Sequence, residues 1–321
     1  MLTMDNLIIA DSNRYLHAIF KEYLRTPVFF QGQGGDGPWD LKASKYLKER
    51  IISELHRQYE FEPQRINDIE ICYSSLLKTI LDFNGNNQLN IFTTNYDSIL
   101  ERFVWQRSQS KFDLNDGFIT DEASASRFWS SSKLEETPNQ TNRPYLKLVK
   151  LHGSLSWRLT VDGVFECGKI EERCFDSKNY RGNILIYPTQ KGPESEEPFA
   201  TLFKYFQNSI RNTIVFVVIG FSFRDPEINR VFLNHLNSGD DKRIIVISPT
   251  GENDVKNNLL LEVRADTEKE KHLTKITFIN ERFGTDNAIE KLRDSLLEDH
   301  LYMSKTGSTQ FVKRKLQSEK K

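Results

Sequence analysis

The segment 214–226, IVFVVIGFSFRDP, carries the strongest fold signal in the chain. Its first half is a continuous apolar run, which is typical of a central parallel strand covered by helices on both faces. The run ends at residues 220–222, Gly-Phe-Ser. Asp225 and Pro226 then form a helix-start signal, because Asp caps the first amides and Pro suits the first helical position. The segment therefore predicts a strand, a loop and a helix.

The same alternation of strands and helices extends on both sides of this segment. Further strands are predicted at 89–94, 145–151, 183–187, 242–248 and 276–280. Pro198 opens an amphipathic helix before the central strand, and a closing helix is predicted at 286–300. Strands that alternate with helices predict an α/β, Rossmann-like fold with a doubly wound, mainly parallel sheet.

The predicted domain has two portions and a tail. Apolar residues recur at helical spacing in the first quarter of the chain, so we expect a helical portion over about 1–88 and a Rossmann-like portion over about 89–300. Within the latter, residues 108–142 are polar with little periodicity and predict a long exposed excursion. Residues 301–321 are polar and basic, which predicts a disordered tail.

Composition excludes several classes of protein. The 321 residues include 44 Lys and Arg against 45 Asp and Glu, so no global field favours nucleic acid or a membrane surface. No apolar run approaches the roughly 18 to 20 residues that span a bilayer, and the start does not read as a secretory signal. The three cysteines form no CxxC pair, which fits a reducing compartment and excludes a four-cysteine zinc site. We expect a cytoplasmic protein that binds neither membranes nor, directly, nucleic acid.

Polar motifs follow the predicted strands at the points where the strands end. TTNYD occupies 93–97, HGS occupies 152–154 and GFS occupies 220–222. Each has a purely structural explanation, as a helix cap, a hydrogen-bonded turn histidine or the glycine of a tight turn. Ligands of open parallel sheets bind outside the carboxyl ends of the strands, however. The coincidence of the three motifs predicts a ligand site there.

These motifs resemble those of the sirtuin-like (Sir2-like) domains in bacterial antiphage NAD-consuming proteins. The resemblance rests on TTNYD, KLHGSLSW, IYPT and VIGFSFRDPEIN in this order, and covers roughly 91–249. It implies that Asn95 and His152 are the catalytic pair, that NAD is the substrate, and that no metal is needed. The residues that it implies for nucleotide binding are Thr93, Thr94, Asp97, Gly220, Phe221, Ser222 and Asp225.

The chemistry of NAD cleavage suits the implied pair. Breaking the bond between nicotinamide and ribose builds positive charge on the ribose. An amide such as Asn95 can orient water or a ribose hydroxyl, and a histidine such as His152 can accept a proton near neutral pH. The resemblance thus implies an NAD+ glycohydrolase that acts in antiphage defence by NAD depletion. It also implies a homo-oligomer and a separately encoded partner, such as a HerA-like ATPase or an Argonaute-type protein.

The sequence departs from the family at its start. Sirtuin-like domains begin with a strand and a Gly-Ala-Gly loop that cradles the pyrophosphate, and no such segment precedes Asp11. Residues 32–37 match GxGxxG, but the helix and acidic residue that should follow are not in place. We expect either a truncated start or a lost loop. The alternative to an enzyme is therefore a non-catalytic NAD- or ADP-ribose-binding scaffold subunit; deacetylation is disfavoured because the zinc-binding cysteines of classical sirtuins are missing.

Overall fold

The structure is a computed structural model that describes residues 66–84, 88–104, 111–120, 127–137, 143–160, 163–166, 182–185 and 197–306. Several features of the sequence lie outside the described residues. They are the predicted helices before residue 66, the glycine-rich segment 32–37, the IYPT motif at 186–189 and the basic tail after residue 306.

The described part of the chain contains eleven strands and eight α-helices. The strands are β1 (Gln88–Thr93), β2 (Asp113–Asn115), β3 (Phe118–Thr120), β4 (Arg127–Trp129), β5 (Tyr145–Lys150), β6 (Gly153–Thr160), β7 (Gly163–Glu166), β8 (Gly182–Leu185), β9 (Val215–Ile219), β10 (Arg243–Ile247) and β11 (Ile276–Ile279). The helices are α1 (Ile66–Asn84), α2 (Ile99–Arg102), α3 (Ser131–Glu135), α4 (Phe199–Asn212), α5 (Pro226–Asn237), α6 (Gly251–Asp254), α7 (Asp266–Leu273) and α8 (Asp286–Thr306). A π-helical turn, Val255–Leu259, continues α6.

Six of the strands form two parallel three-stranded sheets. β5 lies between β1 and β2 in the first sheet, and β10 lies between β9 and β11 in the second. The rings of Phe92 on β1 and Phe216 on β9 have centroids 6.4 Å apart, so the two sheets lie side by side. This arrangement confirms the predicted α/β fold with parallel strands.

Side chains of β10 alternate between two hydrophobic cores. Ile244 and Val246 pack on one face with α4 and α5, whereas Ile245 and Ile247 pack on the other face with α1 and α8. Alternation of side chains across a strand explains why an apolar run without polar residues is needed here. Helices cover both faces of the sheet, and the doubly wound prediction is confirmed.

A five-stranded antiparallel sheet, in the order β3–β4–β7–β6–β8, accompanies the parallel strands. The strand predicted at 183–187 is β8, and it pairs antiparallel with β6. The expectation that 108–142 is an exposed excursion is wrong, because β2, β3, β4 and α3 lie within it and Leu134 is 0% exposed. Its polar residues make internal contacts instead: Asn115 donates to the Tyr145 hydroxyl at 2.7 Å, and Arg127 pairs with Asp116 at 2.7 Å.

The last helix covers the sheet and extends further than predicted. α8 ends at Thr306, so the predicted start of the tail at residue 301 is too early. The helix is fixed by its apolar side, on which Ala288 and Leu292 are both 0% exposed. Its packing against β10 and β11 makes α8 part of the domain core.

Two leucines of α8 give a matched test of this packing. Leu292 is 0% exposed, whereas Leu297 is 43% exposed. Leu292→Ala should lower the free energy of unfolding by about 2–5 kcal/mol, because it removes buried methyl groups and leaves a cavity. Leu297→Ala changes helix propensity equally and should cost less than about 1 kcal/mol. Urea unfolding of both variants measures the difference, and equal losses would contradict this assignment of the helix face.

Candidate functional site

The carboxyl ends of β1 and β5 bring the first two motifs together. The strands pair in parallel with Thr93 opposite Lys150. Beyond the strands, the amide of Leu151 donates to the Thr93 carbonyl at 2.9 Å, and the amide of Leu155 donates to the Tyr96 carbonyl at 3.0 Å. The loop 93–97 and the turn that carries His152 therefore lie against each other at one edge of the sheet.

Local hydrogen bonds shape the loop that carries Asn95. The Thr93 hydroxyl accepts from the Asn95 amide at 3.0 Å, and the Asp97 carboxylate accepts from the Ile99 amide at 3.0 Å. Hydroxyl and carboxylate oxygens commonly satisfy amides at turns and helix starts. Thr93 and Asp97 thus fix the backbone on either side of Asn95. The side chains of Thr94 and Asn95 are half-buried.

A buried ion pair lies beneath this loop. The Lys150 ammonium lies 2.8 Å from the Glu101 carboxylate, and the two side chains are only 2% and 3% exposed. Lys150 also donates to the Ser154 hydroxyl at 3.0 Å and to the Asp97 carbonyl. Burial raises the pKa of the Glu101 carboxyl, and the charge and hydrogen bond of Lys150 act in the opposite direction. These contacts join α2, the Asn95 loop and the His152 turn.

His152 is held by the carboxylate of Asp225, which lies three residues after the GFS motif. Its Nε2 lies 2.9 Å from Oδ2 of Asp225, and the side chains are 10% and 22% exposed. The other oxygen of Asp225 accepts from the amides of Glu227 at 2.9 Å and Ile228 at 3.2 Å, at the start of α5. Burial acts to raise the pKa of Asp225, but the hydrogen bonds from His152 and the two amides outweigh it, so the pKa lies below its ordinary value.

The contact with Asp225 selects one tautomer of the neutral imidazole. An ionised carboxylate only accepts hydrogen bonds, so Nε2 of His152 carries the proton. The lone pair then lies on Nδ1, which is the nitrogen able to accept a proton from a ligand.

The loop after β9 has an open backbone at Gly220. This glycine has φ of +63°, and a side chain added there would meet no atom within 4 Å. Its amide donates to the Ile247 carbonyl at 3.0 Å, which ties the loop to β10. The Phe221 ring packs on Phe223, at a centroid distance of 5.2 Å, and so contributes to the core. The Ser222 carbonyl accepts from Asn258 at 2.8 Å.

A strained residue follows in the same loop. Phe223 has φ of 55°, which is unfavourable for a bulky residue, and its side chain is 0% exposed. The side-chain Nδ2 of Asn229 donates to the Phe223 carbonyl at 2.6 Å. Burial of the ring and this hydrogen bond from α5 together hold the conformation. The strain is concentrated in the segment that presents Asp225 to His152.

A comparison with protein families identifies the fold. A family model described as a SIR2-like domain matches residues 89–276, which is more than half of the chain. The chain belongs to the SIR2-like domain family. All three motifs lie inside the matched region, and the sirtuin-like resemblance predicted from them is confirmed.

Solved structures of Sir2 homologues resemble this SIR2-like domain at low sequence identity. A Sir2 homologue mutant in complex with ADP-ribose is 14% identical, with a TM-score of 0.40 and coverage of 83% of this chain and 83% of that chain. A Sir2 complex with a p53 peptide and NAD+ is 11% identical, with a TM-score of 0.37 and coverage of 87% and 90%. No curated protein matches the chain.

Within its described residues, the SIR2-like domain shows neither a metal cluster nor a membrane helix. No group of three or more His, Cys, Asp or Glu side chains in that part of the chain could hold a metal ion. Likewise, no helix among those residues combines the length and apolar character that crossing a bilayer requires. The Cys72 thiol donates to the Gly284 carbonyl at 3.6 Å, and Cys167 and Cys174 lie outside the described residues.

The sequence motifs predicted some residues of the candidate site and missed others. His152 and Asp225 were both predicted and are in direct contact. Lys150 and Glu101 were missed, although the two lysines of the strand YLKLVK, Lys147 and Lys150, were a signal of buried partners. Asn229, which lies in α5 and holds the strained loop, has no local sequence signal.

Asp225→Asn separates the two tasks of Asp225 in the SIR2-like domain. Asn is as good a helix cap as Asp, so its oxygen should stay on the amides of Glu227 and Ile228. Its NH2 group then faces His152 and can only donate, which makes Nε2 an acceptor and moves the ring proton to Nδ1. Imidazole ¹⁵N chemical shifts of His152 should show the Nε2–H tautomer in the wild type and the Nδ1–H tautomer in the variant.

Asp225→Ala is the companion variant, because it removes the cap as well. It should lower the free energy of unfolding by about 1 kcal/mol more than Asp225→Asn does. An identical His152 tautomer in the wild type and Asp225→Asn would contradict the proposed orientation of the ring.

Proposed function

We propose that this SIR2-like domain is an NAD+ glycohydrolase that cleaves NAD+ to nicotinamide and ADP-ribose, with Asn95 and His152 as the catalytic pair. One observation carries the proposal: the loops that carry the three motifs are far apart in the sequence and lie together at the carboxyl ends of the parallel strands. The Asn95 loop is hydrogen-bonded to the His152 turn, and His152 is bonded to Asp225, three residues after the GFS motif. The substrate class follows from the motifs' resemblance to NAD-consuming sirtuin-like domains.

The proposed reaction needs little from the protein beyond orientation and one proton acceptor. The bond between ribose C1′ and the nicotinamide nitrogen breaks, and its electron pair neutralises the positive pyridinium ring. The side chain of Asn95 orients the ribose or the attacking water, whose oxygen bonds to C1′. His152 accepts the proton through Nδ1, because Asp225 keeps Nε2 protonated and stabilises the resulting imidazolium.

Nucleotide binding is proposed at the backbone of the loop after β9. Gly220 leaves open space where a side chain would stand, so a nucleotide can approach the main chain there. The amides at the start of α5 already donate to Asp225, which orients His152. We therefore do not assign the pyrophosphate to that helix terminus. Thr93, Thr94, Asp97 and Ser222 complete the proposed binding loops.

The proposed setting is antiphage defence by depletion of cellular NAD in the cytoplasm. We further propose that the protein acts as a homo-oligomer with a separately encoded partner, such as a HerA-like ATPase or an Argonaute-type protein. Both statements rest on the family resemblance of the motifs, and neither follows from the site geometry.

Nicotinamide release from NAD+ by the purified full chain tests the proposed activity. Asn95→Ala and His152→Ala should each reduce turnover by about 10²- to 10⁴-fold, since each removes a group that orients or transfers a proton in the transition state. Asn234→Ala, at an exposed position of α5, is the matched control and should retain wild-type turnover. Equal turnover in all four proteins would contradict the assigned catalytic pair.

A binding measurement separates the enzyme from the scaffold alternative. The second candidate is a non-catalytic NAD- or ADP-ribose-binding scaffold subunit. If the wild type releases no nicotinamide, alone or oligomerised, yet NAD+ or ADP-ribose raises its melting temperature, the binding function holds. Neither turnover nor stabilisation would contradict both candidates.

A further inference from the structure

A buried cation lies beneath the loop that carries Asn95. Lys150 is the last residue of β5, and its side chain is 2% exposed. We propose that Lys150, paired with Glu101, is a positioning residue that fixes the Asn95 loop against the His152 turn. Its part in NAD cleavage rests on the proposed function, whereas its hold on the loop rests on contacts in the structure alone.

The partners of Lys150 come from three separate segments. They are the Glu101 carboxylate in α2 at 2.8 Å, the Ser154 hydroxyl just after His152 at 3.0 Å, and the Asp97 carbonyl in the Asn95 loop. An ammonium group has three N–H donors, so these three acceptors satisfy it fully. Lys150 therefore joins α2, the Asn95 loop and the His152 turn through one side chain.

Hydrogen bonds from the segment 151–155 hold the backbone on both sides of Asn95. Before it, the Thr93 carbonyl accepts from the amide of Leu151. After it, the Tyr96 carbonyl accepts from the Leu155 amide at 3.0 Å and from the Ser154 hydroxyl at 3.3 Å. Ser154 is itself a partner of Lys150, so loss of the ammonium removes support from Tyr96 and Asp97 together. A displacement of a catalytic group by about 1 Å can cost about 10²-fold in rate.

Stability alone does not explain a charged pair at this position. Burying two charges carries a large desolvation cost, and apolar side chains of similar volume often give equal or greater stability. An apolar pair would not bond to the Asp97 carbonyl or the Ser154 hydroxyl. The charged pair therefore differs from an apolar pair in its hydrogen bonds to the Asn95 loop and the His152 turn.

The difference between charged and apolar pairs supplies the test. Lys150→Met alone leaves Glu101 buried without its cation, and should lower the melting temperature strongly. The double variant Lys150→Met/Glu101→Leu leaves no buried charge and should recover most of that loss. If the pair positions the loop, the double variant should still exchange the amide hydrogens of 93–98 at least tenfold faster than the wild type. Its kcat for NAD+ should fall about 10- to 100-fold, with a smaller change in KM.

Lys147→Met is the matched control. Lys147 lies in the same strand, is 3% exposed, and donates to the Glu136 carbonyl at 3.1 Å, away from the Asn95 loop. Its loss should leave exchange at 93–98 unchanged. Wild-type exchange or wild-type turnover in the double variant would overturn the positioning role. If the wild type itself does not cleave NAD+, the proposed function fails, and the exchange rates of 93–98 alone decide whether Lys150 holds the loop.

Discussion

The parallel pairing of β1 with β5 is the constraint on which the site depends. The register places Thr93 opposite Lys150, and this sets the starting point of both loops that follow. Side chains alternate across a strand, so a slip of one residue would turn Lys150 to the opposite face of the sheet. The Asn95 loop would then lose its buried support, and the His152 turn would lose the backbone hydrogen bonds that hold it against that loop.

The Asp225 carboxylate links the start of α5 to the His152 turn after β5. Asp225 begins α5, which packs on the sheet of β9, β10 and β11, yet it contacts His152 at the end of β5. The helix start and the histidine share the carboxylate, one oxygen each. Partial positive charge at a helix N-terminus favours the ionised carboxylate, as does a histidine that donates to it. The orientation of His152 is therefore coupled to the folding of α5.

The strands and motifs could be predicted because their signals are local. A run such as that of β9 needs burial on both faces, and TTNYD or HGS at a strand end follows from the chain alone. The start of the antiparallel sheet escaped prediction because β3 and β4 have three residues each, too few to show a period. Lys150 and Glu101 escaped it because their pairing spans 49 positions and depends on the β1–β5 register. Contacts of this kind are set by topology rather than by local pattern.

We propose that the nicotinamide ribose of NAD binds at the carboxyl ends of β1 and β5, between the Asn95 loop and His152. A crystal structure of the full chain with bound ADP-ribose tests this placement. We expect the terminal ribose within hydrogen-bonding distance of the Asn95 side chain and of Nδ1 of His152, with the nucleotide passing close to Gly220. ADP-ribose bound elsewhere, or bound with this ribose turned away from both residues, would contradict it.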